Sequence, residues 1–398
     1  MQNSVNPYRR TIAACFVGYT VQACICTFAP LLYVQFRQQF GLSLNQLALM
    51  ISVTFFTQLL VDLASSAFVE KIGYRTCIVT AHFLAAAGFA FMALLPEVMD
   101  AYTGLMIAAV VYSLGAGLIE VLISPIMEAC PTKRKNAMMN LLHSCFAWGQ
   151  MLVILLSTLF FAVFSIKNWK YLSLFWAVVP LFNAFLFLFA PINQFGEGAP
   201  AKKAIVSLLK SKLFWCFMLM MIASGATELA VSQWASALVE TGLGVNKTVG
   251  DLTGPCMFAF FMGLGRLIGT RFDDDAVPRA MLWSVGLCIA AILLIALSPH
   301  PVGSLIGCAL CGFAVSITWP MTLSLAAHIM PAAGTALFGF LACGGDVGCT
   351  VGPSLAGIAA ARFGDDLKTG VLFSAVFPLL LLLGLLLVRA ERKKKKEK

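Results

Sequence analysis

Long apolar runs separated by short polar turns make up most of the pattern of hydrophobic and polar positions along the chain. A helix needs about 20 apolar residues to cross the hydrocarbon core of a bilayer, and the runs have about that length. The pattern therefore predicts twelve membrane-spanning helices: Thr11–Val34, Leu44–Val69, Thr76–Leu95, Ala101–Ile126, Ala137–Val163, Asn168–Ala190, Leu213–Val239, Val249–Thr270, Ala280–Ser298, Val302–Met330, Gly334–Ala361 and Thr369–Val388.

The longest polar segment between two runs divides the predicted helices into two sets of six. It spans Asn193–Lys212 and reads NQFGEGAPAKKAIVSLLKSK. We interpret residues 193–212 as a cytoplasmic linker between an N-terminal six-helix bundle (1–192) and a C-terminal six-helix bundle with a basic tail (213–398). Many carriers are built from repeated halves and bind their substrate between them near mid-membrane.

The composition indicates an all-α integral membrane protein. The 398 residues are 60% hydrophobic and only 11% charged, whereas soluble domains are about 45–50% apolar and about a quarter charged. The formal net charge is +9, which raises the question of nucleic-acid binding. The cations are spread over short turns and the tail Glu391–Lys398, so we predict contact with membrane lipid and no nucleic-acid partner.

The positions of lysine and arginine predict the orientation of the chain. If the N-terminus is cytoplasmic, most of the 27 lysines and arginines lie on the cytoplasmic side, which is the positive-inside pattern. Both termini are then cytoplasmic, in a multi-pass protein of the plasma membrane, with a bacterial inner membrane as our expectation. The first apolar run is too long for the core of a signal peptide, so we interpret it as the first spanning helix.

The polar segments contain none of the sequence motifs that are typical of soluble enzymes. We find no phosphate-binding loop of the form G-x-x-x-x-G-K-[ST] and no G-x-S-x-G or H-E-x-x-H pattern outside the apolar runs. Most of the 13 cysteines lie in apolar runs, where we interpret them as small buried hydrophobic residues. We therefore predict a secondary transporter, not an enzyme, without a metal or another cofactor, and a monomer.

Ionisable side chains inside the predicted spans are the first candidates for function. An acid in hydrocarbon must be paired, protonated or exposed to a water-filled cavity. Four acids lie well inside the predicted spans, away from their ends: Asp62, Glu120, Glu228 and Asp346.

Glu120 and His143 form the best-supported pair among these groups. Each lies about seven residues from the polar turn between the fourth and fifth runs, so both lie roughly 10 Å deep at 1.5 Å per residue. Asn140, His143 and Gln150 fall on one face of the fifth helix, which predicts a polar stripe towards a cavity or another helix. A buried hydrogen bond between helices is the structural alternative for both Glu120 and His143.

A second candidate set lies in the C-terminal half. Glu228 and Asp346 are expected at similar depth, with Trp234 further along the seventh helix and Trp319 in the tenth. Carboxylates beside aromatic faces suit sugars, whose C–H faces pack on rings while their hydroxyl groups donate hydrogen bonds. Packing or interfacial anchoring is the alternative for both tryptophans. Glycines near Asp346 at four-residue spacing predict close helix packing; they are Gly344, Gly348 and Gly352.

Two polar turns in equivalent positions of the halves resemble each other. SAFVEKIGYR spans Ser66–Arg75 and GTRFDDDAVPR spans Gly269–Arg279; each has an acid four positions after a small residue, followed by an arginine. The first turn resembles the loop pattern G-x-x-x-D-R-x-G-R-R of the major facilitator superfamily. That resemblance implies the two-bundle fold and a set of gate or loop residues on the cytoplasmic side. We add Asp62 and Arg266 to this set, which then comprises Asp62, Glu70, Lys71, Gly73, Arg75, Arg266 and Asp273.

Four segments resemble the fucose–proton symporter group of that superfamily. They are GAGLIEVLISP, MNLLHSCFAWG, GFAVSITWPMTLSLA and GGDVGCTVGPSLAG. The resemblance implies proton-coupled uptake of a sugar-like solute, with Glu120 as a residue that both binds solute and titrates. It also implies a proton-coupling acid in the first helix, where this chain has only Gln22.

Two other functions stay open. Drug–proton antiporters of the superfamily usually carry G-x-x-x-G-P in the fifth helix, whereas here the string Gly348–Pro353 lies in the eleventh run. A transporter-like sensor or a lipid-handling protein would move no soluble solute. Hexoses, deoxyhexoses, amino sugars and organic acids remain candidate solutes, although four embedded acids disfavour an anion.

Overall fold

Helices make up nearly all of the computed structural model, which describes residues 7–131, 135–192, 208–242, 244–269, 272, 276–330 and 334–396. Within this part of the chain no residue lies in a β-strand, so the predicted all-α class is confirmed. We number the long helices in chain order. They are α1 (Arg9–Phe40), α2 (Leu44–Ile72), α3 (Tyr74–Val98), α4 (Ala101–Glu128), α5 (Lys135–Phe164), α6 (Trp169–Phe189), α7 (Lys212–Thr241), α8 (Lys247–Gly269), α9 (Val277–Leu297), α10 (Pro301–Val315 and Thr318–Ile329), α11 (Gly334–Arg362) and α12 (Leu367–Phe373 and Val376–Lys396).

Eleven of these helices are long and apolar enough to cross a membrane, judged over the described residues. They correspond to eleven of the twelve predicted spans. The twelfth, α11, is one continuous helix of 29 residues that is not among these eleven. Twelve spans and cytoplasmic termini therefore stay predictions, whereas a multi-pass helical protein is established.

Prolines explain where several helices are interrupted. A proline has no N–H to donate to the carbonyl four residues earlier, which weakens the helix at that point. α10 breaks at Ser316 and Ile317, four and three residues before Pro320, and α12 breaks at Ser374 and Ala375, shortly before Pro378. The apolar pattern treated each of these as a single helix.

Polar caps and left-handed glycines end the helices at the short turns. Gly41 ends α1 and Gly73 separates α2 from α3, with φ angles of 69° and 93°, a region that glycine enters without steric cost. Before α4, the Asp100 side chain accepts the backbone N–H of Thr103 at 2.9 Å, and this bond lowers the pKa of the Asp100 carboxyl group.

The helices form two compact units. Unit 1 comprises Met1–Leu42 and Val53–Glu197, and unit 2 comprises Ser43–Ser52 and Gly198–Lys398. Residues 43–52 belong to unit 2, where Ser52 Oγ and Ser354 Oγ share a hydrogen bond; the sequence analysis had placed them in the N-terminal bundle. The predicted linker lies almost entirely outside the described residues, and its boundaries stay a prediction.

A buried polar network joins three helices of unit 1. Asn183 Nδ2 on α6 donates to Ala14 O on α1 at 3.0 Å and to His82 Nε2 on α3 at 2.8 Å. Since a carbonyl can only accept, His82 Nδ1 donates to Ile78 O at 2.7 Å. Both ring nitrogens of the fully buried His82 therefore have hydrogen-bond partners. Polar groups inside a membrane bundle need such partners because no water is available to bond with them.

Glycines bring α7 and α11 into backbone contact in unit 2. A Cβ atom on Gly348 would lie 2.0 Å from Ile222 O, and one on Gly352 would lie 2.3 Å from Ala226 O. The close approach predicted from the four-residue spacing is confirmed. Small residues at such an interface let two membrane helices pack through van der Waals contact and weak Cα–H bonds.

We expect Gly348→Ala to lower the free energy of unfolding by about 1–3 kcal/mol, because the added methyl group meets a backbone oxygen that cannot move aside. Unfolding of the purified protein in detergent, followed by circular dichroism, measures this. The control is Gly286→Ala in α9, where an added Cβ has no heavy atom within 4 Å. Equal stability of the two variants would contradict the tight α7–α11 contact.

Large apolar side chains cover the outer faces of the helices. Trp283 is 82% exposed, and Tyr171 and Phe189 are each 69% exposed. In water such a surface would be unusually apolar. On a multi-pass protein it is the surface that lipid covers.

Candidate functional site

A hydrogen-bonded group of amides and carboxyls lies inside unit 1. Gln22 Nε2 on α1 donates to Gln58 Oε1 on α2 at 3.0 Å and to Glu120 Oε2 on α4 at 3.1 Å. Carboxyl oxygens of Asp62 and Glu120 lie within 4.8 Å of each other. We call these four residues the polar cluster of unit 1: Gln22, Gln58, Asp62 and Glu120.

Small residues let the three helices meet at this cluster. A Cβ on Gly117 of α4 would lie 2.8 Å from Val61 Cβ and 3.0 Å from Gln58 O, so the backbone of α4 approaches α2 one turn before Glu120. On the other side of Glu120, Tyr19 Oη and Ser124 Oγ lie 3.2 Å apart and connect α1 to α4. The register of α1 and α4 therefore directs Gln22 to Glu120.

Asp62 is predicted to brace a cytoplasmic gate through loop cations, and this role stays a prediction. The structure places a carboxyl oxygen of Asp62 within 4.8 Å of one of Glu120. The reason is the α2–α4 contact at Gly117 and Val61, which turns this face of α2 towards α4. Gln58, one turn earlier on the same face, was not among the predicted site residues; its i, i+4 spacing to Asp62 was the available signal.

Several amide atoms in this region are buried without a hydrogen bond to any described residue. They are Gln22 Oε1, Gln58 Nε2 and Gln150 Oε1, and their side chains are only 4%, 2% and 9% exposed. Leaving such a group unsatisfied costs about 1–3 kcal/mol. A donor and two acceptors are therefore available to a polar solute or to water.

Gln150 lies beside α1 through its neighbour Gly149. A Cβ on Gly149 would lie 3.0 Å from Ala23 Cβ, next to Gln22. The predicted stripe on α5 also includes Asn140 and His143, whose side chains lie outside the described residues. The predicted contact between Glu120 and His143 therefore stays a prediction.

A buried ion pair lies in unit 2. Arg266 Nη2 on α8 is 3.7 Å from Glu228 Oε2 on α7, and Glu228 is 6% exposed. Arg266 Nε is buried and has no hydrogen bond to a described residue. α8 directs the long side chain of Arg266 back to α7, where it forms this pair, and its predicted role at a cytoplasmic gate stays a prediction.

An aromatic ring lies beside the second acid of unit 2. The indole of Trp319 covers Gly345, where an added Cβ would lie 2.0 Å from Trp319 Cη2, and Asp346 is the next residue. Thr318 Oγ1, preceding this tryptophan, lies 2.5 Å from Ser224 Oγ on α7. The structure thus brings Trp319 close to the helix segment of Asp346, as the sequence analysis expected.

Trp234 lies in a different environment. It is fully buried, and its indole N–H donates to Pro353 O at 2.8 Å. A Cβ on Gly357 would lie 2.5 Å from its ring. These contacts give Trp234 a packing role between α7 and α11, which is the alternative to solute binding stated above, and its role in solute binding stays a prediction.

The predicted gate motif is only partly described. Gly73 has the positive φ angle that its turn requires. Arg75 Nη2 donates to Ala190 O at 2.9 Å and so connects the start of α3 to the end of α6. Lys71 is exposed, while the Glu70 side chain and Asp273 lie outside the described residues.

The sequence analysis missed an ion-paired cluster between α7 and α8. Lys247 Nζ is 2.9 Å from Asp251 Oδ2 and 3.9 Å from Glu240 Oε2. Ser236 Oγ donates to Asp251 Oδ1 at 2.5 Å, and Asp251 is 1% exposed. Glu240 and Asp251 lie in π-helical or adjoining turns. In the sequence Glu240 and Asp251 lie at the ends of apolar runs, where charged residues usually belong to loops.

Comparison with known proteins identifies relatives of this architecture. A model of the Major Facilitator Superfamily matches residues 11–345 and 279–398. A crystal structure of the transporter FucP of that superfamily, in the outward conformation, is similar with a TM-score of 0.67 and 16% identity, over 96% of this chain and 99% of FucP. A structure of the E. coli fucose:proton symporter FucP gives 0.65 and 16%, over 96% and 98%. No curated protein sequence matches the chain.

Proposed function

Since this chain belongs to the major facilitator superfamily of membrane transporters, we propose that it moves a small polar solute across a membrane by alternating access. The proposed solute is a sugar and the proposed driving force is a proton gradient, in symport. The location that we propose is the plasma membrane, the bacterial inner membrane in particular, with the protein working as a monomer.

The polar cluster of unit 1 is the observation that carries this proposal. Gln22, Gln58 and Glu120 are hydrogen-bonded inside a membrane bundle, and two of their amide atoms have no hydrogen bond to any residue that the structure describes. Sugar hydroxyl groups both donate and accept, so they can satisfy Gln22 Oε1 and Gln58 Nε2 at once. An apolar solute would leave both atoms unsatisfied and would bind more weakly.

Glu120 is the proposed link between solute and proton. As a carboxylate it accepts hydrogen bonds from Gln22 and from a solute hydroxyl group; as a neutral acid it carries a proton. Ionisable groups inside membrane helices commonly form such proton relays. The solute and the proton would therefore act on the same side chain.

Unit 2 supplies a second set of solute-binding groups in this proposal. The ring of Trp319 lies against Gly345, the residue before Asp346, and offers a flat apolar face in the same helix segment as that acid. Such a pair fits a sugar, which has apolar C–H faces and polar edges. Glu228 and Arg266 belong to the same unit, and Arg266 Nε can donate to a further oxygen.

A ligand screen tests the proposed solute class. The full chain, purified in detergent, is heated with a panel of sugars that includes fucose, and with organic acids and cationic drugs, at two pH values. We expect a neutral sugar to raise Tm, and the same sugar to enter proteoliposomes faster with an inward proton gradient. Stabilisation by cationic drugs alone would favour antiport, and stabilisation by a sugar without uptake would favour a sensor.

We expect Trp319→Ala to weaken binding of the sugar found in that screen by about tenfold, because the aromatic contact contributes about 0.5–1.5 kcal/mol. Trp319→Phe should recover part of the affinity, which titration calorimetry measures. The control is Trp283→Ala, since Trp283 on α9 is 82% exposed on the outer face. Unchanged affinity in Trp319→Ala would remove this residue from the proposed site.

A further inference from the structure

We propose that Gln22 fixes the orientation of the Gln58 side-chain amide, so that Gln58 presents an N–H donor to the solute and thereby selects a solute with an oxygen at that position. Gln58 on α2 is then a specificity-determining residue, and Gln22 on α1 is the residue that positions it. The contact with a solute rests on the proposed function above; the orientation of the two amides does not.

The hydrogen bonds of Gln22 determine which way both amides face. A carboxamide has one oxygen that accepts and one nitrogen with two N–H donors. Gln22 Nε2 lies 3.1 Å from Glu120 Oε2 and 3.0 Å from Gln58 Oε1, and it donates to both. Gln58 therefore meets the second N–H of Gln22 with its oxygen, and its own nitrogen is left for another partner.

The nitrogen of Gln58 is the atom that points to a ligand. Gln58 Nε2 is buried and has no hydrogen bond to any residue in the described part of the chain, and the Gln58 side chain is only 2% exposed. A buried donor without an acceptor destabilises the protein. An oxygen atom of a bound solute can accept from this nitrogen, and the accepting oxygen of Gln58 is already used by Gln22.

The packing of three helices holds the two amides in this arrangement. The backbone of α4 lies against α2 at Gln58, since a Cβ on Gly117 would lie 3.0 Å from Gln58 O. Three residues before Gln22, Tyr19 Oη lies 3.2 Å from Ser124 Oγ and connects α1 to α4. The backbones that carry the two amides are thus fixed relative to α4.

A donor with a fixed direction distinguishes solutes by the group that lies opposite. A hydroxyl oxygen accepts from Gln58 Nε2, whereas a deoxy analogue, with hydrogen at that position, leaves the N–H unpaired in a buried site. Sites that hydrogen-bond a hydroxyl group of the substrate strongly reject the analogue that lacks it. We therefore expect one ring position at which removal of the hydroxyl group weakens binding by about tenfold or more.

Infrared spectroscopy tests the orientation of the amides without any solute. The full chain, with glutamine labelled by ¹³C at the side-chain carbonyl, is measured in lipid nanodiscs, and the band that disappears in Gln58→Met belongs to Gln58. In Gln22→Met this band should move to higher frequency, because the carbonyl of Gln58 loses its donor. The control is Gln38→Met, at an exposed position of α1, which should leave the band in place.

Binding of sugars with single hydroxyl groups removed tests the specificity. The probes are fucose and glucose, each with its monodeoxy analogues, and titration calorimetry gives the affinities. In Gln58→Met the parent sugar should bind about tenfold more weakly, and the difference between parent and deoxy analogue should disappear at one ring position only. Such a cycle isolates the contact between one side chain and one solute group.

Gln22→Met tests the positioning role in the same assay. Gln58 is still present in this variant, but its amide is no longer held by a donor, so the discrimination at the same ring position should shrink. A residue with a purely structural role would weaken the binding of parent and analogue equally. Gln38→Met should bind every probe as the unaltered protein does.

The outcomes separate this inference from the proposed function. If sugars bind and Gln58→Met keeps the full discrimination at every ring position, the sugar site stands and Gln58 does not determine specificity. If the Gln58 band stays in place in Gln22→Met, the positioning role of Gln22 is wrong. If the band moves but neither sugar binds, the orientation of the amides stands, whereas the proposed solute class and the selection of a sugar by Gln58 are both wrong.

Discussion

Glu120→Gln is expected to abolish proton-driven accumulation of the solute while part of its exchange activity remains. The amide cannot bind or release a proton in the physiological range, so the gradient no longer drives net uptake. The fold should persist, because Gln22 Nε2 can donate to the new amide oxygen as it does to the carboxyl oxygen at 3.1 Å. Uptake by proteoliposomes with an inward proton gradient measures accumulation, and preloaded vesicles measure exchange.

The matched control for this change is Glu97→Gln, which makes the same substitution at an exposed ion pair of unit 1. It should accumulate solute as the unaltered protein does. Full accumulation by Glu120→Gln would refute the coupling role of this residue. Loss of both accumulation and exchange, with binding retained, would indicate that Glu120 is needed for the conformational change itself.

Lys247→Met is expected to lower the free energy of unfolding by about 3–5 kcal/mol, the cost of leaving a buried charge without its partner. Lys247 is the cation that pairs with Asp251 at 2.9 Å, and the side chain of Asp251 is 1% exposed. Methionine keeps the length of the side chain and removes only the charge. Unfolding in detergent, followed by circular dichroism, measures the loss.

Lys170→Met is the control for this prediction. It breaks the pair with Glu97, whose side chain is 52% exposed, and exposed pairs contribute about 0–1 kcal/mol. A second substitution, Asp251→Asn, should restore part of the stability lost in Lys247→Met because it removes the uncompensated charge. An equal, small effect of Lys247→Met and Lys170→Met would show that Asp251 is adequately stabilised without the lysine.

Conformational change in a carrier needs interactions that form in one state and break in another. The pair between Glu228 and Arg266 has the chemistry for this, since Nε of the arginine has no hydrogen bond within the described part of the chain. A solute oxygen that binds Arg266 would compete with Glu228. This offers a way in which the solute could shift the balance between two arrangements of α7 and α8.

Much of the architecture could be read from local patterns in the chain. Apolar runs of about 20 residues must be helical in a bilayer, since the backbone has no water with which to bond, and eleven of the predicted runs correspond to helices that are long and apolar enough to cross a membrane. The G-x-x-x-G spacing in α11 predicted close packing because small residues let the backbones of two membrane helices approach each other. The embedded acids could also be recognised from the sequence, because a charged side chain in hydrocarbon is costly unless it is paired, protonated or in contact with water.

The partner of each polar group depended on how the helices pack against one another. Asp62 lies within 4.8 Å of Glu120 and Arg266 pairs with Glu228, because helix contacts at Gly117 and between α7 and α8 decide which faces meet. The sequence names Trp234 as a candidate for solute binding, and only the fold shows that this side chain is fully buried. Hydropathy measures how well each segment tolerates lipid, and it contains no information on the rotation of one helix against the next. That rotation sets the chemistry of the site, and only the folded bundle specifies it.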